Sequence, residues 1–303
     1  MINSTDKNKE IKLASASDEQ TTGGGAATEN HTKETHEEIH HENTIFAETL
    51  FEVNGFKVTN SLLSSLLVTF ILVAFFIAAG WKVRNVPKGI QNFFEILLDG
   101  ALNFVDSITG NRRTSEKLLP ITLTLFLFIL INNWFGILPI IGSIGVIQNH
   151  GGSEAFVPIF RGGTADLNMT LALSLFAIVG SHIIGVLTVG AWKHFNKFVN
   201  FEALMEIPGK IAKDKTVIFV NPIKFFVGFM EIISEFAKMA SLSFRLFGNI
   251  FAGEVLLASM AMIFALAVPL PFIFLEVLVG LVQAAVFAIL TLVFMSMSME
   301  AEH

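Results

Sequence analysis

The sequence predicts an all-α polytopic membrane protein. It has five membrane-crossing helices and one amphipathic surface helix, with the last two spans long, steeply tilted and paired as an antiparallel hairpin. Three observations predict this. Of 303 residues, 52% are hydrophobic and only 15% charged, too few charges to cover a water-soluble domain. Five apolar stretches reach the roughly 20 residues that a crossing helix needs, at about 61–80, 118–142, 167–190, 222–266 and 270–299. Basic residues fall in alternate connections between them.

Residues 1–44 carry nine acids against four lysines, several His and the run Gly23-Gly24-Gly25. With no apolar period to pack a core, they read as a disordered, acidic, extracytoplasmic tail before a membrane domain at 45–303. No basic start with an apolar core marks a signal peptide at Met1. The absence of Cys excludes disulfides, thiolate catalysis and Cys-ligated zinc or iron–sulfur clusters.

The connection 81–117 holds Lys82, Arg84, Lys88, Arg112, Arg113 and Lys117, and 191–224 holds six further lysines. The alternate connections hold Arg161 and no other base. By the positive-inside rule the N-terminus lies outside and the C-terminus is cytoplasmic. Within the first basic connection Ile90, Phe93, Phe94, Leu97, Leu98, Ala101, Leu102 and Val105 recur at helical spacing, which predicts a surface helix at about 88–108. The glycine-rich stretch 143–166 predicts an external loop.

The fourth apolar run is the anomaly. Its roughly 45 residues make about 67 Å of helix, about twice the hydrocarbon thickness, and no Pro divides it between Ile223 and Val268. One long helix is therefore predicted, with a polar face of Glu231, Ser234, Glu235, Lys238, Ser241, Arg245, Gly248 and Asn249 at 3/4 spacing. An intramembrane guanidinium costs roughly 2.5–3.5 kcal/mol on insertion scales and marks a functional site by default. Glu254 lies on the opposite side of the helix, about 13 Å further along, so two polar surfaces at different depths suggest two aqueous paths. In the last run Glu276 and Gln283 share a face, and a hairpin turning near Pro269 and Pro271 predicts the contacts Glu254–Glu276 and Arg245–Gln283.

The run Ser241-Leu242-Ser243-Phe244-Arg245-Leu246-Phe247-Gly248-Asn249-Ile250-Phe251-Ala252-Gly253-Glu254 resembles the signature of subunit a of F-type ATP synthases around its essential Arg. Thr164-Ala165-Asp166-Leu167-Asn168-Met169-Thr170 and Asn132-Asn133-Trp134-Phe135-Gly136-Ile137-Leu138-Pro139 are similar to the family's third-span opening and second-span end. The resemblance covers roughly 55–303. It implies a proton-translocating stator beside the c-ring, with b subunits of the peripheral stalk and, indirectly, the F1 sector as further partners in a bacterial cytoplasmic (inner) membrane. It also implies Arg245 as the essential charge with Asn249 and Gln283 beside it, and Glu254 with Glu276 as the buried external pair. Asn133, Asp166 and Asn168 would line the external half-channel, and Glu231, Ser234, Lys238 and Ser241 the cytoplasmic one. Some members carry His where Glu276 stands, and some place an acid where this chain has Gly136. No nucleotide site, cofactor, metal or nucleic-acid partner is expected on this chain.

Blander readings exist for several of these groups. Lys238 at its depth is a natural snorkelling residue, Glu231 fits a solvated helix start, and Glu254, Glu276 and Gln283 could serve as interhelix hydrogen bonders. His182, well inside the third span, reads as an interhelix hydrogen bonder with a proton relay as the alternative. A sodium-coupled synthase would look the same, because ion choice lies mostly in the c-ring. A rival class, an intramembrane zinc protease, is raised by His36-Glu37-Glu38-Ile39-His40, an H-E-x-x-H pattern. It sits in a polar tail with no crossing helix to hold a water-excluded metal.

Overall fold

In a computed structural model the described residues are 45–80, 89–138, 142–150, 153–198, 217–263 and 269–299. The acidic tail, its H-E-x-x-H pattern and residues 81–88 and 199–216 of the two basic connections lie outside them. Among the described residues seven helices follow in order: α1 Asn60–Gly80, α2 Ile90–Thr109, α3 Arg112–Ile137, α4 Leu167–Val189, α5 Ala191–Phe198, α6 Val217–Ile263 and α7 Pro269–Met299. Five of them, α1, α3, α4, α6 and α7, are long and apolar enough to cross a membrane.

The predicted long helix is present as α6, 47 unbroken residues. It packs on α7, as the hairpin requires. The second span begins at Arg112, ahead of the apolar run. Gly110 ends α2 in the left-handed conformation, and the Asn111 side chain caps α3 by accepting from the Arg113 N–H at 3.0 Å. Arg112 reaches back to Asp106 at 2.6 Å. The Ser115 hydroxyl and then that guanidinium hold the Asp106 carboxyl below the usual carboxylate range. A lowered value means the corner's contribution is full at neutral pH and is lost as pH falls through it.

Two small hairpins were not anticipated. Strands β1 Thr49–Val53 and β2 Phe56–Thr59 turn at Asn54-Gly55, both at positive φ, and β3 Gly145–His150 pairs with β4 Ser153–Pro158 inside the predicted external loop. A 3-10 turn, Gly163–Ala165, then leads into α4.

The core lies among α3, α4, α6 and α7. Ile129 and Leu130, Ala177 and Ile178, Leu242, Leu246 and Ile250, and Ala284 and Phe287 meet there. In lipid, burying such side chains gains little from water exclusion, so close packing and interhelix hydrogen bonds, about 0.6 kcal/mol each, hold the bundle. Such bonds are frequent. Asn133 Nδ2 donates to the Gly280 carbonyl at 2.8 Å, Trp134 Nε1 to the Val277 carbonyl at 3.1 Å, and the Thr170 and Ser243 hydroxyls meet at 3.1 Å.

Candidate functional site

Leu242, Leu246 and Ile250 form one buried stripe of α6, while Ser241, Arg245, Gly248 and Asn249 are exposed. Helical phase accounts for this, because Arg245 stands about 100° from Leu246 on the same turn. Its Nη2 donates to Ser241 Oγ at 3.3 Å. Among the described residues no carboxylate comes within ion-pair range of it. The guanidinium thus sits in the middle of an apolar helix and faces away from the bundle.

Among the described residues no hydrogen bond joins Gln283 to Arg245. Gln283 Oε1 accepts from Asn249 Nδ2 at 2.7 Å, one turn further along α6. The hydrogen bond thus falls on the amide one turn from the guanidinium that the register paired with Gln283. Gln283 is buried on the core side of α7, and Asn249, one turn along the same face of α6 as Arg245, takes its amide oxygen.

Near the predicted Glu254–Glu276 pair a third group enters. Glu254 is bound by Arg161, whose Nη2 lies 2.8 Å from Oε2 and whose Nε lies 3.1 Å from Oε1. Arg161 is 7% exposed and Glu254 31%. Glu276 is buried, and its carboxyl group packs directly on Gly253, where a Cβ would collide with it. The two acids are therefore neighbours through adjacent residues of α6, with a cation holding one of them. That relieves the repulsion that a bare carboxylate pair would suffer.

Sequence reasoning treated Arg161 only as a topology marker. Its backbone N–H donates to Ser64 Oγ at 3.0 Å, and Ser61 Oγ donates to Asp166 Oδ2 at 2.8 Å. Asp166 also caps α4 through the Asn168 N–H at 3.1 Å. The signal available in the sequence was the serine run at 61, 64 and 65, polar groups on one face at the start of an apolar span. Asn133 and Asp166 are buried at this end of the bundle, while the Asn168 side chain is exposed. Asn133 Oδ1, Thr164 Oγ1 and Glu276 Oε1 are buried with no protein hydrogen-bond partner. Buried polar atoms of this kind are normally satisfied by ordered water.

At the other end of α6, Glu231, Ser234 and Lys238 are half-buried. Lys238 Nζ binds Glu235 Oε1 at 2.8 Å and lies 5.4 Å from the centre of the Phe294 ring. Glu235 Oε2 faces His182 Nε2 at 3.6 Å, and His182 Nδ1 lies 3.2 Å from His194 Nε2. His194, on the short helix α5, was not singled out by its sequence.

The family model described as ATP synthase A chain matches residues 62–296. ATP synthase subunit a of Mycobacterium bovis is 34% identical over 222 residues, covering 72% of this chain and 77% of that protein. That of Desulfotalea psychrophila is 34% identical over 227 residues, with 72% and 75% covered. That of Geobacter sp. strain M21 is 31% identical over 229 residues, with 75% and 82% covered. With five candidate spans and a long α6–α7 pair carrying the polar groups, the chain belongs to the ATP synthase A chain family, the membrane subunit a.

Proposed function

We propose that this chain is the proton-translocating stator of an F-type ATP synthase, presenting two offset half-paths to a c-ring, with Arg245 as the barrier between them. The observation that carries the reading is the exposed, acid-free guanidinium at mid-helix. Arg cannot be deprotonated in a protein, which excludes it as a carrier and suits it to hold a fixed positive charge. A ring carboxylate arriving at Arg245 would be stabilised in its ionised form and would surrender its proton to the path past Lys238, Ser234 and Glu231. Each elementary charge crossing 100 mV releases about 2.3 kcal/mol. Several protons are thus needed per nucleotide, which a rotor can gather.

The external half-path is proposed to run by Asp166, Asn168 and Asn133 to Glu276 and Glu254. Three orphaned buried oxygens along that line support water there. The b subunits and, through them, F1 would hold the chain against rotation in a bacterial inner membrane, N-terminus outside and C-terminus in the cytoplasm. A 47-residue α6 measures about 70 Å, so it would lie steeply tilted.

The test is ATP-driven pumping and passive proton flux in vesicles carrying the assembled complex. Glu254→Gln combined with Glu276→Gln is expected to block both, and an unchanged rate would remove the pair from the path. Gly253→Ala is expected to push the Glu276 carboxyl aside and slow transport by up to about a hundredfold, the scale of a 1 Å misplacement. Normal flux in Gly253→Ala would show that the contact between Glu276 and α6 is dispensable.

A further inference from the structure

Four titratable side chains from three helices form one connected line at the basic end of the bundle. Lys238 and Glu235 come from α6, His182 from α4 and His194 from α5. The Lys238 ammonium occupies Oε1 of Glu235 at 2.8 Å, which leaves Oε2 turned toward His182 Nε2 at 3.6 Å. The far nitrogen of that ring, Nδ1, is 3.2 Å from His194 Nε2. The His194 ring lies over Gly185, with its Cε1 and Nδ1 at 2.7 and 2.8 Å from where a Cβ would stand, beside the Ser298 carbonyl of α7. Gly185 therefore makes the room in which the second imidazole fits.

We propose that Glu235, His182 and His194 are a proton relay joining the basic-side half-path to bulk water. The inference rests on the half-path reading above. Imidazole is suited to the task because it takes a proton on one nitrogen and gives one from the other. A proton bound at Glu235 Oε2 passes to His182 Nε2. The Nδ1 proton of His182 passes to His194 Nε2, and the Nδ1 proton of His194 is released at the half-buried ring. Every bond to hydrogen broken is matched by one made on the next group, so both rings end neutral in the other tautomer and reset by rotation. The 3.6 Å step opens on a groove of about 270 Å³ lined by His182, Glu235 and Met239, room for the side chains to close or for a bridging water. Among the described residues the groups facing the relay include Lys238 from α6, the Ser298 carbonyl from α7 and, beside His194 on α5, the exposed Lys193.

The experiment uses the assembled complex in liposomes, measuring ATP-driven pumping and potential-driven passive flux from about pH 6 to 8. His194→Ala, His182→Ala and the size-conserving His194→Gln are each expected to slow flux at least about tenfold, the low side of a positioned acid–base group. Each should also flatten the pH profile, and added imidazole should restore rate to both His194 variants. A purely structural role would not give that rescue. Wild-type rate and pH profile in either alanine variant would overturn the relay, as would slowing in His194→Gln that imidazole leaves unchanged. Arg245→Ala in parallel separates the two readings. If it pumps normally, the half-paths and the relay fall together; if it fails while His194→Ala is normal, only the relay falls.

Discussion

Arg245→Ala is expected to lower ATP-driven proton pumping by at least about a hundredfold, with Arg245→Lys only slightly less impaired. Removing one preorganised charge from the place where charge develops costs about that much in enzymes generally. The structure leaves little to substitute for it. Ser241 is the hydrogen-bond partner of the guanidinium, and the nearest amide pair, Asn249 with Gln283, carries no net charge. Lysine would keep the charge but lose the planar fork of donors, and it desolvates less readily. Passive flux should rise in the Ala variant, since nothing then keeps the two paths apart. Pumping at the wild-type rate would refute the assignment.

The second large effect is expected at Arg161. Arg161→Gln leaves the Glu254 carboxylate without its cation and strips Phe46, on the chain leading into β1, of a contact at 3.5 Å. Breaking a fully buried ion pair by removing one partner costs about 3–5 kcal/mol. Glu254 is 31% exposed, and solvent screening brings the expected loss to about 2–3 kcal/mol. Thermal unfolding in detergent reads it, and Arg161→Lys should recover part by restoring charge without the bidentate geometry. An unchanged midpoint in Arg161→Gln would mean the pair contributes nothing to the fold.

Much of this was legible because lipid simplifies the code. Hydropathy alone located five spans, and the missing proline foretold an unbroken α6. Helical phase put Arg245 and Glu254 on different faces. The counter-charge was not legible. Pairing Glu254 with Glu276 follows from register along two helices, yet a loop residue 93 positions away supplies the counter-charge, and loop paths leave no periodicity to read. The β1–β2 hairpin did have a signal, Asn-Gly between short apolar-rich strands, which a search tuned to membrane spans passes over. The line through His194 was invisible for another reason: α5 has eight residues, too few for a period to emerge.

At the end of α3, Gly136 and Gly162 touch backbone to backbone, a Cβ on Gly136 standing 3.0 Å from the Gly162 Cα. This chain can therefore accept no acid at 136 unless the strand-to-turn segment bearing Arg161 retreats. The identity of residue 136 and the course of that segment are therefore sterically coupled. A relative with a carboxylate there should have solved the neutralisation of its Glu254 counterpart by a different route, so the two positions should change together across lineages. A set of subunit a sequences in which an acid at 136 coexists freely with this same Arg-Gly-Gly turn would contradict that linkage.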